Sequence, residues 1–123
     1  MSEVIHESGE DYLETILILK NKKGRVRAID IANALNYSKP SVSRATSILK
    51  SKGFIVINDG NIELTPEGQK LAEKTYEKHA WFTKFFMSIG VDEDTAAKDA
   101  CRMEHAISEK SFECLKAYIH QLK

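Results

Sequence analysis

Three residues of one predicted helix carry side chains that bind metal ions. Cys101, Glu104 and His105 occupy positions i, i+3 and i+4, so a thiol, a carboxylate and an imidazole share one helical face. Glu104 also falls on the apolar stripe of this helix, where an unpaired carboxylate is costly to bury. The pattern indicates a divalent-metal site. A core cysteine, a solvated glutamate and a surface histidine remain the alternatives.

Two other places in the sequence offer further ligands. His79 falls on the inner stripe of a long predicted helix, and Asp11 and Glu14 lie three residues apart in the first helix. Any of these side chains could complete a coordination shell. Asp11 also has a structural alternative, because Ser8-Gly9-Glu10-Asp11 fits a capping box and acids favour the first turn of a helix.

The elements that must position these residues follow from the turn-forming residues. Helices are predicted over about 10–22, 29–35 and 39–52, with Ser38 as a cap and Pro40 in the first turn of the third. Two short apolar runs around Asn58-Asp59-Gly60-Asn61 predict a β-hairpin. Three more helices are predicted over about 66–88, 93–106 and 109–122.

This order predicts a mainly α protein with two domains. Residues 1–68 form a winged helix-turn-helix DNA-binding domain with a two-stranded wing, and residues 69–123 form an α-helical dimerisation and metal-binding domain. The second part is too short for a convincing core of its own. Its apolar stripes are therefore expected to close against a second copy, which gives a homodimer.

The charge distribution supports a nucleic-acid partner although the net charge is zero. Residues 20–52 hold nine Lys and Arg against the single acid Asp30, which is typical of a phosphate-facing module. Serines, lysines and one arginine of the third helix lie off its buried stripe and suit the major groove, although they could also form a merely solvated face. The predicted DNA-binding residues are Arg27, Ser38, Lys39, Pro40, Ser41, Ser43, Arg44, Ser47 and Lys50.

The motifs together resemble the diphtheria toxin repressor (DtxR/MntR) family of metal-dependent transcriptional repressors, in its short two-domain form. They are Glu10-Asp11-Tyr12-Leu13-Glu14, the winged helix, Tyr76-Glu77-Lys78-His79 and Cys101-Arg102-Met103-Glu104-His105. The resemblance implies a homodimer that binds a palindromic operator when a metal ion is bound. It also implies one metal site made of Asp11, Glu14, His79, Cys101, Glu104 and His105.

The ligand set departs from both branches of that family. The iron-dependent branch is similar at Cys101 but usually has methionine at the position of Asp11, whereas the manganese branch is similar at Asp11 but usually has glutamate at the position of Cys101. A thiolate favours Fe(II), and three carboxylates suit Mn(II). We expect Fe(II) to be favoured over Mn(II), with Co(II) or Zn(II) able to act in vitro.

Other classes of protein are less well supported. A metal-independent winged-helix regulator could sense oxidants through Cys101 or Cys114, or bind an organic ligand. An enzyme would need Cys101 as nucleophile and His105 as base, but no oxyanion-hole or phosphate loop accompanies them, and Cys101 is expected to be buried. With 42% hydrophobic and 29% charged residues and no long apolar run, the chain is expected to be cytoplasmic, without a membrane partner or a small-molecule substrate.

Overall fold

The computed structural model describes residues 7–122 of the chain. Within that range the first elements are α1 (Glu7–Lys23), α2 (Ala28–Leu35), α3 (Lys39–Ser51), β1 (Ile55–Asn58) and β2 (Asn61–Leu64). They are followed by α4 (Pro66–Ser88), α5 (Glu93–Ala106) and α6 (Glu109–Gln121). The predicted fold class is confirmed: a winged helix-turn-helix with a two-stranded wing, followed by helices.

The chain forms two compact units, Met1–Lys74 and Thr75–Lys123, whose boundary falls inside α4. Each unit has its own cluster of buried side chains. No helix in residues 7–122 is both long enough and apolar enough to cross a membrane.

The helix-turn-helix of the first unit is set by two cap residues. Asn36 ends α2 with a left-handed φ of 60°, a conformation that asparagine tolerates better than most residues. Ser38 starts α3, and its side chain accepts a hydrogen bond from the amide of Ser41 at 3.3 Å. The two helices and α1 then bury Leu13, Ile16, Ile31, Val42 and Leu49 in one core.

The wing is a regular antiparallel hairpin. Ile55 pairs with Leu64 and Asn58 pairs with Asn61, so Asp59 and Gly60 form a two-residue turn. Both turn residues have positive φ, 56° and 79°, as this tight type of turn requires. The Asn58-Asp59-Gly60-Asn61 signal in the sequence therefore places the turn correctly.

The start of α4 packs closely on the residue that precedes the wing. Thr65 Oγ1 accepts a hydrogen bond from the Gly68 amide at 3.1 Å and donates one to the carbonyl of Gly53 at 2.6 Å. A methyl group at Gly68 would overlap the Phe54 carbonyl. Only glycine lets the helix approach the chain this closely.

Two details of the first unit correct the sequence-based interpretation. α1 extends back to Glu7, so Ser8 lies inside the helix and Asp11 lies beyond its first turn. The capping-box role considered for Asp11 is wrong. In α3, the spacing of apolar residues predicts an inner face that includes Ile48 or Leu49, but Ile48 is 54% exposed and Thr46 is buried. Thr46 tolerates burial because its hydroxyl donates to the Ser43 carbonyl at 3.1 Å.

The second unit consists of the later part of α4 together with α5 and α6. Asp92 and Ser108 cap α5 and α6, and both are residue types that favour the start of a helix. The rings of Phe82 and Phe112 are buried, and their centroids lie 5.7 Å apart. The apolar spacing of α6 predicts that Leu122 continues its inner stripe, but Leu122 lies after the last helical residue and is 66% exposed.

Candidate metal centre and DNA-binding surface

Glu104 is the centre of the candidate metal site in the second unit. Its side chain on α5 is fully buried, although carboxylates rarely are. His79 Nδ1 on α4 lies 3.0 Å from Glu104 Oε1 and donates to it in the tautomer that carries a proton there. His105 Nε2 lies 3.3 Å from Glu104 Oε2. One carboxylate is thus flanked by two imidazoles.

The second oxygen of Glu104 fits a bound cation. Among the described residues, Oε2 has no hydrogen-bond partner, because its contact with His105 lacks hydrogen-bond geometry. A buried oxygen left in this state is destabilising unless an ion or a water molecule binds it. The donor set around it, nitrogen and oxygen with sulfur nearby, is one that divalent transition metals accept.

Cys101 lies at the edge of this cluster. Its sulfur, one oxygen of Glu104 and one nitrogen of His105 lie within 4.8 Å of one another. Cys101 is exposed, so the expected burial of this thiol is wrong. The buried stripe of α5 is Ala96, Ala100 and Glu104, which leaves Cys101 one position outside it. An exposed thiol can serve as a ligand without being a core residue.

The remaining two predicted ligands belong to the first unit. Asp11 and Glu14 lie on α1, where Asp11 is half-buried and Glu14 is buried. Their spacing of three residues places both carboxylates on one face of the helix. Within the second unit the structure brings His79, Cys101, Glu104 and His105 together. Within the first it places Asp11 and Glu14 side by side along α1.

The predicted DNA-binding residues form an exposed surface on the first unit. All of them are exposed except Ser41, which is half-buried. Ser38 and Ser41 are engaged in capping, since Ser38 Oγ also donates to Ser41 Oγ at 3.0 Å. The cations Arg27, Lys39, Arg44 and Lys50 are the exposed charged members of the set.

Two exposed residues that neighbour this set along the chain were not among the predicted DNA-binding residues. Ile48 lies one turn after Arg44 on α3 and is 54% exposed, so it can offer an apolar contact to a thymine methyl group. Tyr37 immediately precedes α3, and its ring centroid lies 5.8 Å from that of the buried Tyr12. The spacing of apolar residues in α3 does not predict the exposure of Ile48, because Ile48 and Leu49 both fit the inner stripe.

Two ionisable groups near this surface have shifted pKa values. The hydrogen bond from Lys23 and that from the Arg27 amide hold the pKa of Asp30 below its usual range. Burial raises the pKa of Tyr12, and the neighbouring Tyr37 acts in the same direction. Asp30 is therefore an anion that fixes the start of α2, and Tyr12 is a neutral phenol.

The fold, the candidate metal site and the exposed cationic surface define a class of protein. It is a winged-helix DNA-binding regulator whose helical unit carries side chains that bind metal ions. Comparison with known families agrees. Residues 5–59 match the iron dependent repressor N-terminal DNA binding domain. Residues 65–123 match the iron dependent repressor metal binding and dimerisation domain. The chain belongs to the iron-dependent repressor (DtxR/MntR) family.

Individual relatives align with most of the chain. The transcriptional regulator MntR of Salmonella typhimurium is 36% identical over 113 residues, which cover 91% of this chain and 72% of that protein. An uncharacterized HTH-type transcriptional regulator of Methanocaldococcus jannaschii is 32% identical over 120 residues, covering 95% and 96%. The solved structure of the manganese regulator SloR matches with a TM-score of 0.80 at 26% identity, covering 96% of this chain and 55% of that one.

These matches confirm the functional class predicted from the sequence. The chain is a metal-dependent DNA-binding transcriptional regulator and a member of a family of repressors, not of enzymes. The domain types also support DNA and a second copy of the chain as partners. They do not support the alternative of a metal-independent regulator that senses oxidants or an organic ligand.

Proposed function

We propose that this protein is a metal-activated repressor whose sensing site is organised around Glu104. The observation that carries the proposal is the buried Glu104 carboxylate, with one oxygen held by His79 and the other without a hydrogen-bond partner in the described residues. This arrangement is unfavourable without a cation and becomes favourable with one. Metal binding then stabilises the fold that contains it.

The proposed ligands are Asp11, Glu14, His79, Cys101, Glu104 and His105. A divalent cation supplies the positive charge that lets these acids share one site. His79 orients Glu104 through the 3.0 Å contact, and Asp11 and Glu14 present two carboxylates from one face of α1. Because these two acids belong to the DNA-binding domain (residues 1–68) and the other four to the helical domain (residues 69–123), occupancy would bias the geometry between the domains.

Fe(II) is the proposed natural effector, with Mn(II) also able to activate. The Cys101 thiolate makes the site softer than a set of oxygen and nitrogen ligands alone, which favours Fe(II), Co(II) and Zn(II). Three carboxylates are hard ligands and suit Mn(II), and one similar solved structure is described as a manganese regulator. The preference for iron is therefore expected to be modest.

The proposed DNA target is a palindromic operator bound by a homodimer in the cytoplasm. Two recognition helices related by a two-fold axis read two half-sites of an inverted repeat. Arg44 contacts base edges, and Lys39 and Lys50 contact phosphates. Repression follows from occupancy of the operator, which needs both helices at the correct spacing.

The test is operator affinity measured by fluorescence anisotropy under anaerobic Fe(II) titration. The probe is a labelled duplex selected by the metal-loaded protein from a random-sequence pool. The His105→Ala protein should lose metal-dependent binding and remain folded. His120→Ala is the matched control, because His120 is exposed on α6 and belongs to no ligand cluster found among the described residues. If the His105→Ala protein without metal bound the operator as tightly as the metal-loaded wild type, metal gating would be contradicted.

A further inference from the structure

The segment between α1 and α2 carries two exposed arginines on either side of a core residue. Val26 is 1% exposed, whereas Arg25 and Arg27 are both exposed. Burial of the valine fixes the segment to the core and leaves its neighbours directed to solvent. The two guanidinium groups therefore belong to the surface of the DNA-binding unit without being part of the recognition helix α3.

The backbone of this segment is fixed to the wing by Asn61. The Val26 amide donates to Asn61 Oδ1 at 3.0 Å, and the Ile62 amide donates to the Val26 carbonyl at 2.7 Å. Asn61 Nδ2 donates to Glu63 Oε2 at 2.9 Å, which orients the amide group so that its oxygen faces Val26. The side-chain oxygen of Asn61 thus accepts the hydrogen bond from the Val26 amide that a backbone carbonyl of a neighbouring strand would accept in a β-sheet.

One hydrogen bond fixes the backbone of Arg27, and its side chain lies next to the wing. Its amide donates to Asp30 Oδ2 at 2.9 Å. Its Nη1 atom lies 3.9 Å from the point where a Cβ would stand at Gly60, which places the guanidinium group beside the turn of the wing. The hydrogen bond between the Val26 amide and Asn61 is therefore close to the Arg27 guanidinium group, which Asn61 would help to position.

Neither arginine forms an ion pair with an acid in the part of the chain that the structure describes, although the Arg27 charge makes the smallest of the contributions that lower the pKa of Asp30. Lys23, which precedes them, is paired with Asp30 at 2.9 Å, and no ion pair within residues 7–122 involves Arg25 or Arg27. Unpaired guanidinium groups on a fixed backbone suit phosphate oxygens, which arginine binds with two parallel hydrogen bonds.

We propose that Asn61 is a positioning residue for DNA binding, and that the segment of residues 24–27 forms a phosphate-contacting surface beside the wing. Arg25 and Arg27 bind the DNA backbone, and Asn61 acts through them by fixing Val26. The inference rests on the proposed function, because it needs duplex DNA as the partner. It adds contacts that are independent of base sequence, since phosphates carry no sequence information.

The test compares Asn61→Ala with the exposed pair Arg25→Ala/Arg27→Ala and with all three changes together. The probe is a labelled 30-base-pair duplex of mixed sequence, and affinity is measured by anisotropy over a series of salt concentrations. Asn61→Ala should lower affinity about fivefold and make the slope of log K against log salt shallower by about 1 to 2. In the background of the two arginine changes, Asn61→Ala should have less than about a twofold further effect.

The outcomes separate the two proposals. Asn58→Ala is the matched control, because Asn58 pairs with Asn61 in the hairpin and should leave the salt slope unchanged. An equal loss caused by Asn61→Ala with and without the arginines would overturn the positioning role. If Asn61→Ala does not fold, the arginine pair still decides, since a salt slope equal to that of the wild type removes the phosphate surface. All these measurements use the Fe(II)-loaded protein, and failure of the Fe(II)-loaded wild type to bind any duplex would instead overturn the proposed function.

Discussion

The Nδ1 atom of His79 lies 3.0 Å from Oε1 of Glu104, although 25 positions separate the two residues. The contact joins α4 to α5 inside the second unit. It leaves the other carboxylate oxygen beside His105 without a hydrogen-bond partner among the described residues. The second unit therefore contains a buried carboxylate with one oxygen that lacks a hydrogen-bond partner among the described residues, which is the basis for proposing Glu104 as a metal ligand.

Glu104→Gln should separate stability from metal binding. The amide has the size of the carboxylate without its charge, so the apo protein should be as stable as the wild type or more stable, by about 1 kcal/mol. The wild type should gain about 2.7 kcal/mol when free metal is 100 times its Kd, and the variant should gain almost nothing. The measurement is thermal unfolding by circular dichroism, with and without Co(II).

Glu113→Gln provides the control for that experiment. The Glu113 side chain is 58% exposed on α6, so its replacement should leave the metal-induced gain unchanged. A Glu104→Gln protein that is stabilised by Co(II) as much as the wild type would remove Glu104 from the metal site.

The cluster of candidate metal ligands in the second unit was predictable from the sequence because most of it is local. Cys101, Glu104 and His105 share a face by helical spacing alone. Glu104 was also a clear candidate because it is a charged residue on an apolar stripe. The contact between His79 and Glu104 is tertiary and depends on how α4 packs against α5. Family resemblance placed His79 in the set, whereas spacing only made it a candidate.

The details that the sequence did not predict depend on hydrogen bonds to particular groups. Thr46 can be buried in α3 because a backbone carbonyl accepts a hydrogen bond from its hydroxyl. The spacing of hydrophobic residues gives no information about such a bond. The bond from Val26 to Asn61 joins residues 35 positions apart, and no local pattern encodes it. Helix caps were predictable because Ser38, Asp92 and Ser108 act within three residues of themselves.

Arg44→Ala and Lys39→Ala should weaken DNA binding in different ways. Both side chains are exposed on α3. Loss of a base contact by Arg44→Ala should cost about 1 to 3 kcal/mol at the selected duplex and relax base preference. Lys39→Ala should weaken selected and mixed-sequence duplexes similarly and flatten the salt slope by about 1. Competition binding against base-substituted duplexes measures the difference, and an Arg44→Ala protein with unchanged preference would exclude base reading by Arg44.

The protein should be a dimer with or without metal. The second unit has a small buried cluster centred on Phe82, Ala100 and Phe112, while Ile89 and Leu122 are 64% and 66% exposed. Apolar side chains left exposed in a unit this small favour burial against a second copy. Light scattering at micromolar concentration should give about twice the chain mass of 13.9 kDa. A mass of one chain at that concentration would contradict the prediction.

Asp30→Asn should reduce stability in a pH-dependent manner. The pKa of Asp30 is held low by Lys23 and the Arg27 amide, so its stabilising effect is full above the unfolded value of about 3.9 and is lost as pH falls through the lower folded value. The variant should be less stable by about 1 kcal/mol at pH 7, with the difference disappearing in acid. Urea unfolding at a series of pH values measures it.

Lys23→Ala is the partner variant for that experiment. It removes the ion pair, whose lysine is 54% exposed, but keeps the hydrogen bond from the Arg27 amide. Exposed ion pairs contribute little, so it should cost less than Asp30→Asn. A constant difference between Asp30→Asn and the wild type from pH 7 down to about pH 2 would show that the carboxylate charge is not responsible.

Cys101→Glu should change which metal activates the protein. Cys101 is exposed at the edge of the cluster, so a longer side chain fits there without disturbing the core. Replacing a soft thiolate with a hard carboxylate should move activation from Fe(II), Co(II) and Zn(II) toward Mn(II), by about tenfold in the ratio of half-activating concentrations. The measurement is operator affinity under anaerobic titration with each of the four metals. Cys114→Glu is the matched control, because Cys114 is exposed on α6 and should leave the ranking unchanged. An unchanged ranking in Cys101→Glu would exclude the thiol as the origin of selectivity, while leaving the role of Glu104 in metal binding intact.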